Sequence, residues 1–278
     1  MQNYTFEQVD NILLSQNGRI IHQIWFGNIP NKREAKKAFA KLAKHRDTWL
    51  DKNPDWFYIC WNLELAENFV RKCYPQHWDL YRNYSYQIQR CDVLRYFFLH
   101  RYGGLYADMD YHCNRSWNEV VRDYPNDFYL VETPNSFGET AHVSNSLMYC
   151  RPRHIFWHKL FIDLENNATV PSYYSRHIAI MFTTGPGILN RCFKRYRLRY
   201  GLSYYPSQLF HPYGLSKDKL RLENRNEVYA YHLGKGSWEK SDSKFLIFLY
   251  TEWRILVFLL CVLILPLLIS QRLIRNRS

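Results

Sequence analysis

The chain has 278 residues, 47% hydrophobic and 18% aromatic, which excludes disorder for most of its length and allows one large domain or two small ones. Lys and Arg number 37 against 25 Asp and Glu, and the net charge of +12 fits nucleic acid, anionic membrane or phosphorylated small molecules as partners. The basic residues are scattered, with no dense run and no zinc-finger spacing, so nucleic acid is disfavoured.

Residues 1–18 are polar, and Asn17-Gly18 marks a turn. No basic segment followed by an apolar run occurs there, so no secretory signal is expected. The seven cysteines form no C-x-x-C pair and several lie in apolar patterns. They read as reduced thiols, which argues for a cytosolic catalytic domain. Residues 19–25 form a buried strand, followed by the loop Phe26-Gly27-Asn28-Ile29-Pro30. Residues 33–50 read as a helix whose basic outer face is solvated, and Asn53-Pro54 breaks it. Residues 55–61 are the second strand and 63–73 a helix, with Pro75 opening a short connection.

The stretch 87–110, QIQRCDVLRYFFLHRYGGLYADMD, organises the chain. Ile88, Cys91, Leu94 and Phe98 recur at three- and four-residue spacing, predicting an amphipathic helix that Gly103-Gly104 ends. Residues 105–107 are then a short buried strand, which delivers Asp108-Met109-Asp110 at its C-terminal end, where open α/β sheets bind ligands. Two carboxylates so placed can both reach Mg²⁺ or Mn²⁺, hard cations that favour carboxylate and phosphate oxygens. The same pattern also occurs in solvated loops. Asp92 and Arg95 share one helix face, as an ordinary surface ion pair would.

Residues 111–113 are expected to continue the strand across the sheet, with His112 close to the acids but offset. Residues 127–132 and 142–150 are further strands, and the loop 133–141 between them is a candidate for shaping an acceptor site. A helix spans 154–166, and Thr183-Thr184-Gly185-Pro186-Gly187 turns into a helix at 188–200, where backbone N–H groups offer an anion site or a plain cap. Residues 227–233 alternate as a strand and lead into Gly234-Lys235-Gly236-Ser237-Trp238, a glycine-rich loop of the kind that approaches phosphate. Strand and helix alternation through the first half builds a nucleotide-binding half sheet. Last comes an uncharged run, 255–269, then Arg272, Arg275 and Arg277. With its approach from Phe245 it fits a membrane span, a tail anchor, an in-plane anchor or a buried core helix.

The order Asp92-x-x-Arg95-Tyr96, Gly103-Gly104, Tyr106-x-Asp108-x-Asp110 resembles the sugar-binding region of the Asp-x-Asp glycosyltransferases. These are retaining enzymes related to yeast α-1,6-mannosyltransferases and inositol-phosphoceramide mannosyltransferases, with clostridial glucosylating toxins as distant relatives. The opening IIHQIWFGNIP, Asn145 with Met148, the Thr-Gly-Pro turn and the late His232 with Ser237-Trp238 are similar to the same family. The resemblance implies a GT-A fold, Rossmann-like and α/β, over residues 1–240. A transmembrane or membrane-anchoring helix would follow at 245–270, and a basic tail at 271–278.

It further implies metal-dependent hexose transfer, with mannose from GDP-mannose as first guess and a UDP-sugar as the other donor. The acceptor would be a lipid or glycan at a membrane, reached by a single-pass or tail-anchored chain. Asp110 would bind Mn²⁺ or Mg²⁺, with Asp108 and His232 beside it. Trp25 would stack on the donor base, and Asp92 and Arg95 would hold donor-sugar hydroxyls. Tyr106, Asp108, Asn145, Ser237 and Trp238 would complete the donor site, with Asp92, Arg95, Asp108 and Asp110 as the catalytic set. Two other readings stay open: a non-catalytic nucleotide-sugar-binding scaffold at a membrane, and a phosphohydrolase or nucleotidyltransferase built on the same acids.

Overall fold

The computed structural model describes residues 4–27, 31–133, 142–212, 227–234 and 241–251. Helix α1 (Phe6–Ser15) opens on a reciprocal cap between Thr5 and Gln8 and buries Phe6, Val9 and Leu13. The polar reading of residues 1–18 overlooked it, although Thr5-x-x-Gln8 and the apolar spacing both announce a helix. The expected turn follows, with Asn17 and Gly18 both at positive φ.

Strand β1 (Ile20–Ile24), helix α2 (Lys32–Lys52), strand β2 (Phe57–Trp61) and helix α3 (Leu63–Cys73) come next. A single 3-10 turn at Pro75–His77 and helix α4 (Trp78–Asn83) lead into α5 (Gln87–Tyr102) and β3 (Gly104–Ala107). Then follow β4 (Tyr111–Cys113), α6 (Trp117–Asp123), β5 (Phe128–Glu132), β6 (Val143–Cys150), α7 (Phe156–Asn166) and α8 (Arg176–Thr183). The last described elements are α9 (Pro186–Tyr200), β7 (Ser203–Tyr205), α10 (Ser207–Phe210), β8 (Ala230–His232) and α11 (Ser241–Thr251).

Six strands form one mixed sheet in the order β2-β1-β3-β6-β5-β7. The β2-β1-β3 half is parallel, and β6 enters antiparallel to both β3 and β5. Side chains alternate between the two faces. Ile20, Tyr106, Leu130 and Met148 enter one core with α5, while Ile21, Leu105, Val131 and Leu147 enter another with Trp49 and Trp117. The fold is therefore a mixed α/β sandwich with helices on both faces.

Two expectations are corrected. Helix α5 is not amphipathic: every residue from Asp92 to Leu99 is buried, because the helix lies between the sheet and the helices α4, α7 and α8. Strand β4 does not extend across the main sheet. The N–H of Tyr111 donates to the carbonyl of Asp108 at 3.0 Å, and that turn sends the chain out to pair antiparallel with β8 in a separate two-stranded ribbon.

The glycines that end α5 have a steric reason. Gly103 and Gly104 both take positive φ, and a Cβ on Gly104 would run into the carbonyl of Ile20. This close approach seats β3 directly beside β1. Cys60, Cys73, Cys91, Cys113, Cys150 and Cys192 are free thiols.

Helix α11 docks on the start of α8: the N–H of His177 donates to the Asp242 carboxylate at 2.8 Å, and His177 Nδ1 lies 3.0 Å from Ser243 Oγ. The apolar run 255–269 and the tail 271–278 lie outside the described residues. Among the described residues no helix is long and apolar enough to cross a membrane.

Candidate active site

Strands β1, β2 and β3 run parallel, so their C-terminal ends share one edge. Trp25 leaves that edge after β1, and Asp108 leaves it after β3. Trp25 is half-buried; its N–H donates to the Trp61 carbonyl at 2.9 Å, and its ring tilts against Phe39 at 5.7 Å. The carbonyl of Asp108 accepts from Gln23 Nε2 at 3.1 Å, and its N–H donates to Ser146 at 2.9 Å. Both sides of the acid turn are thus pinned to neighbouring strands.

The ribbon brings in the third member. Tyr111 and His232 face each other across the β4–β8 ladder, and their rings stack at 4.7 Å with 14° between planes. His232 Nε2 lies 2.9 Å from Asp110 Oδ1 and 3.8 Å from Asp108 Oδ2. One ligand atom from each of Asp108, Asp110 and His232 falls within 4.8 Å of the others, a spacing that a single cation can bridge. The three side chains are 28%, 14% and 16% exposed, so the cluster meets solvent on one side. Two carboxylates and one imidazole suit a divalent cation of intermediate hardness. His112, one residue along β4, points to the opposite face, where it stacks on Tyr231 at 4.7 Å and lies 3.4 Å from His45.

Beneath the acids lies a buried network. Arg95 Nη1 donates to Asp108 Oδ1 at 3.1 Å and to the Asn145 carbonyl at 2.9 Å. Its Nη2 pairs with Asp92 at 3.1 Å, and its Nε donates to the Cys91 carbonyl at 3.3 Å. The guanidinium sits 4.7 Å over the ring of Tyr106, whose hydroxyl donates to Asp108 Oδ1 at 2.7 Å. Asp92 accepts from Asn145 Nδ2 at 2.9 Å and from Thr184 Oγ1 at 3.0 Å. Asn145 Nδ2 also reaches the Tyr96 hydroxyl at 3.0 Å. The Asp92–Arg95 pair is therefore interior, at 3% and 4% exposure, and is not an ordinary surface ion pair.

Burial sets the electrostatics. It raises the Asp92 carboxyl to about 6 against the opposing pull of Arg95. Asp108 is raised for the same reason, with Arg95 and His232 pulling the other way. Burial disfavours the Arg95 charge, but Tyr106, Asp108 and Asp92 together outweigh it and hold the guanidinium protonated.

Of the residues singled out from sequence, Asp92, Arg95, Tyr106, Asp108, Asp110, Asn145 and His232 come together here. Trp25 stands at the same edge. Ser237, Trp238 and Lys235 lie outside the described residues. Sequence reasoning missed Thr184 as a partner of Asp92, although the Thr-Gly-Pro turn that carries it had been noticed. It also missed Gln23 and His211. His211 Nε2 lies 3.3 Å from His232 Nδ1, and nothing in the local pattern signals that contact.

Residues 40–127 match the glycosyltransferase sugar-binding region containing the DXD motif. The chain is 28% identical over 242 residues to inositol phosphoceramide mannosyltransferase 3 of Schizosaccharomyces pombe, covering 87% of this chain and 61% of that protein. It is 32% identical over 182 residues to mannosyl phosphorylinositol ceramide synthase CSH1 of Saccharomyces cerevisiae, covering 64% of this chain and 43% of that protein. The chain thus spans less than two thirds of the length of either relative. Among solved structures, the PaToxG glycosyltransferase superposes with a TM-score of 0.46 at 16% identity, covering 68% of this chain and 75% of that one. The matched region takes in both the acid pair and the helix beneath it.

Proposed function

We propose that the chain is a metal-dependent, retaining hexosyltransferase of GT-A type. Its donor would be a nucleotide sugar, first GDP-mannose, and its acceptor a glycolipid of the inositol-phosphoceramide class. One observation carries the reading: His232 meets Asp108 and Asp110 from 122 residues away in sequence. Two carboxylates and an imidazole converging within 4.8 Å make a ligand set for one divalent cation.

A divalent cation bound there supplies Lewis-acid neutralisation of a departing diphosphate. Asp110, His232 and Asp108 would hold it, with Asp108 also the acid that would meet the donor ribose or sugar. Arg95 and Tyr106 both bond Asp108 Oδ1, which leaves Oδ2 on the His232 side. Asp92 and Arg95 are committed to protein partners, so in this reading they position Asp108 and Asn145 rather than grip sugar hydroxyls directly. Trp25 offers the base a stacking surface. Among the described residues no side chain stands out as a nucleophile. The acceptor oxygen then attacks from the leaving-group face: its bond to the anomeric carbon forms, the diphosphate bond breaks, and the diphosphate takes the acceptor proton.

Residues 1–240 serve as the catalytic domain in this reading, and 245–270 hold it at a membrane ahead of the basic tail. The similarity to an inositol phosphoceramide mannosyltransferase and a mannosyl phosphorylinositol ceramide synthase motivates the mannose and ceramide assignments. A phosphohydrolase or nucleotidyltransferase is less well supported, because no third carboxylate joins the cluster among the described residues.

The test is a donor screen with purified chain, Mn²⁺ and each nucleotide sugar in turn, reading nucleoside diphosphate release. Vesicles containing inositol phosphoceramide form a second arm that reads sugar transfer. GDP-mannose turnover that needs Mn²⁺ and is accelerated by the vesicles is the expected result. Turnover of no nucleotide sugar would leave the scaffold reading in its place.

A further inference from the structure

His232 is held on three sides. Its ring stacks on Tyr111, its Nε2 faces Asp110, and its Nδ1 faces His211 Nε2 at 3.3 Å. The two imidazoles meet edge to face, with 72° between planes and centroids 5.1 Å apart. His211 caps α10, and its N–H donates to the Ser207 carbonyl at 2.7 Å, which fixes its backbone. Its other ring nitrogen, Nδ1, is sealed from solvent and has no partner among the described residues.

A nitrogen-to-nitrogen contact needs one donor and one acceptor. With no cation present, His232 Nε2–H donates to Asp110. In the neutral ring its Nδ1 is then a lone pair and accepts from His211 Nε2–H. With a cation on His232 Nε2, that nitrogen must carry the lone pair. The proton of the neutral ring sits on Nδ1, and His211 Nε2 must accept it. A side chain that only donates, or only accepts, serves one of these states. An imidazole serves both by moving its own proton between Nε2 and Nδ1. With both rings neutral, the proton that leaves His232 Nε2 is matched by one on His211 Nδ1. Among the described residues no partner at Nδ1 fixes which tautomer His211 takes.

We infer that His211 is a positioning residue that sets the tautomer of His232 and thereby opens Nε2 to a divalent cation held with Asp108 and Asp110. The inference rests on the metal-dependent reading above and deepens it. Outer partners of a metal-bound histidine fix its ring and tautomer in this way.

The test uses the whole chain and reads Mn²⁺ binding by loss of the free-ion electron paramagnetic resonance signal. Asp110→Asn is the control that shows the titration reports this site. His211→Phe keeps an aromatic ring and loses the acceptor, and is expected to weaken Mn²⁺ binding about 10-fold or more. His211→Gln keeps an amide that accepts or donates, and is expected to stay near wild type. Equal weakening by both variants, or wild-type binding by a folded Phe variant, overturns the inference. The wild-type chain supplies a second measurement that needs no variant. Ring ¹⁵N shifts recorded at a pH where both rings are neutral, with and without Mg²⁺, should show the proton moving from Nε2 to Nδ1 on both His232 and His211. An unchanged His211 under saturating Mg²⁺ overturns the inference. If the wild type binds neither ion, or Asp110→Asn binds as wild type does, the metal reading fails and this inference fails with it.

Discussion

Helix α5 carries two arginines that face carboxylates under different conditions. Arg101, near its end, forks onto Asp10 of α1 with contacts of 2.8 and 2.6 Å, and Tyr102 donates to the same carboxylate. Arg95 reaches two carboxylates, two carbonyls and a tyrosine face. The Arg101 side chain is 30% exposed and that of Arg95 5%. Water competes for Arg101, so its pair does little beyond fastening α1 to α5. Arg95 has no water to fall back on, and each of its bonds orients something: Asp108, the Asn145 backbone, or Asp92. The same guanidinium chemistry is a fastening in one place and an alignment device in the other, and burial decides which.

The contrast can be broken or sharpened by experiment. The largest effect is expected at the acid pair, whose first member Arg95 aligns. Asp110→Asn should abolish sugar transfer while thermal unfolding stays close to wild type, because the amide keeps the side chain's shape and an oxygen to accept from His232. Metal-dependent turnover by the folded variant would remove Asp110 from the site.

Next comes Arg95→Lys. A point charge cannot replace a planar fork that serves four partners, so transfer should fall roughly 10–100-fold, as for loss of an outer partner that orients a ligand. Wild-type kinetics in this variant would reduce Arg95 to the role of Arg101.

An acid titration probes the core between the two arginines. His22 packs against Phe98 and Tyr102 of α5, accepts from Trp61 Nε1 at 3.2 Å and reaches the Gly103 carbonyl through Nε2 at 3.0 Å. Burial depresses it to about 3, with the Gly103 bond pulling slightly the other way. The folded state therefore holds His22 neutral, while the unfolded chain takes a proton near 6.5. Its contribution is intact above that value and is lost as pH falls toward 3. The slope is at most about 1.4 kcal/mol per pH unit. Urea unfolding midpoints measured across this range should fall less steeply for His22→Gln than for wild type. Parallel curves would show that other groups govern acid stability.

The smallest effect belongs to Arg101→Lys: a stability loss of roughly 0–1 kcal/mol with unchanged kinetics. A kinetic loss as large as that of Arg95→Lys would dissolve the distinction between the two arginines.

Much of the parallel half of the sheet was legible from sequence. Ile20, Phe57 and Leu105 lie in short apolar runs, and Gly103-Gly104 punctuates the helix before β3. The acid pair was legible for the same reason, since a strand end places it at the sheet's edge. Helix α1 was legible too, in its capping residues, but was passed over for its polarity. What local pattern does not contain is which way the chain turns after Asp110. One backbone bond from Tyr111 to Asp108 decides that β4 leaves the sheet. The burial of Asp92 likewise depends on Thr184 and Asn145, both remote in sequence. Thr184 and His211 act through tertiary contacts that no three- or four-residue period records.

The ribbon has a consequence for how the protein is made. Every strand of the six-stranded sheet has been synthesised once the ribosome passes Tyr205, the end of β7. The β4–β8 ribbon needs His232, which follows Asp110 by 122 residues. A nascent or truncated chain that stops after β7 therefore has its sheet and both acids but not the histidine between them. The framework can form while the chain is still growing, and the site becomes whole only after β8 has been made.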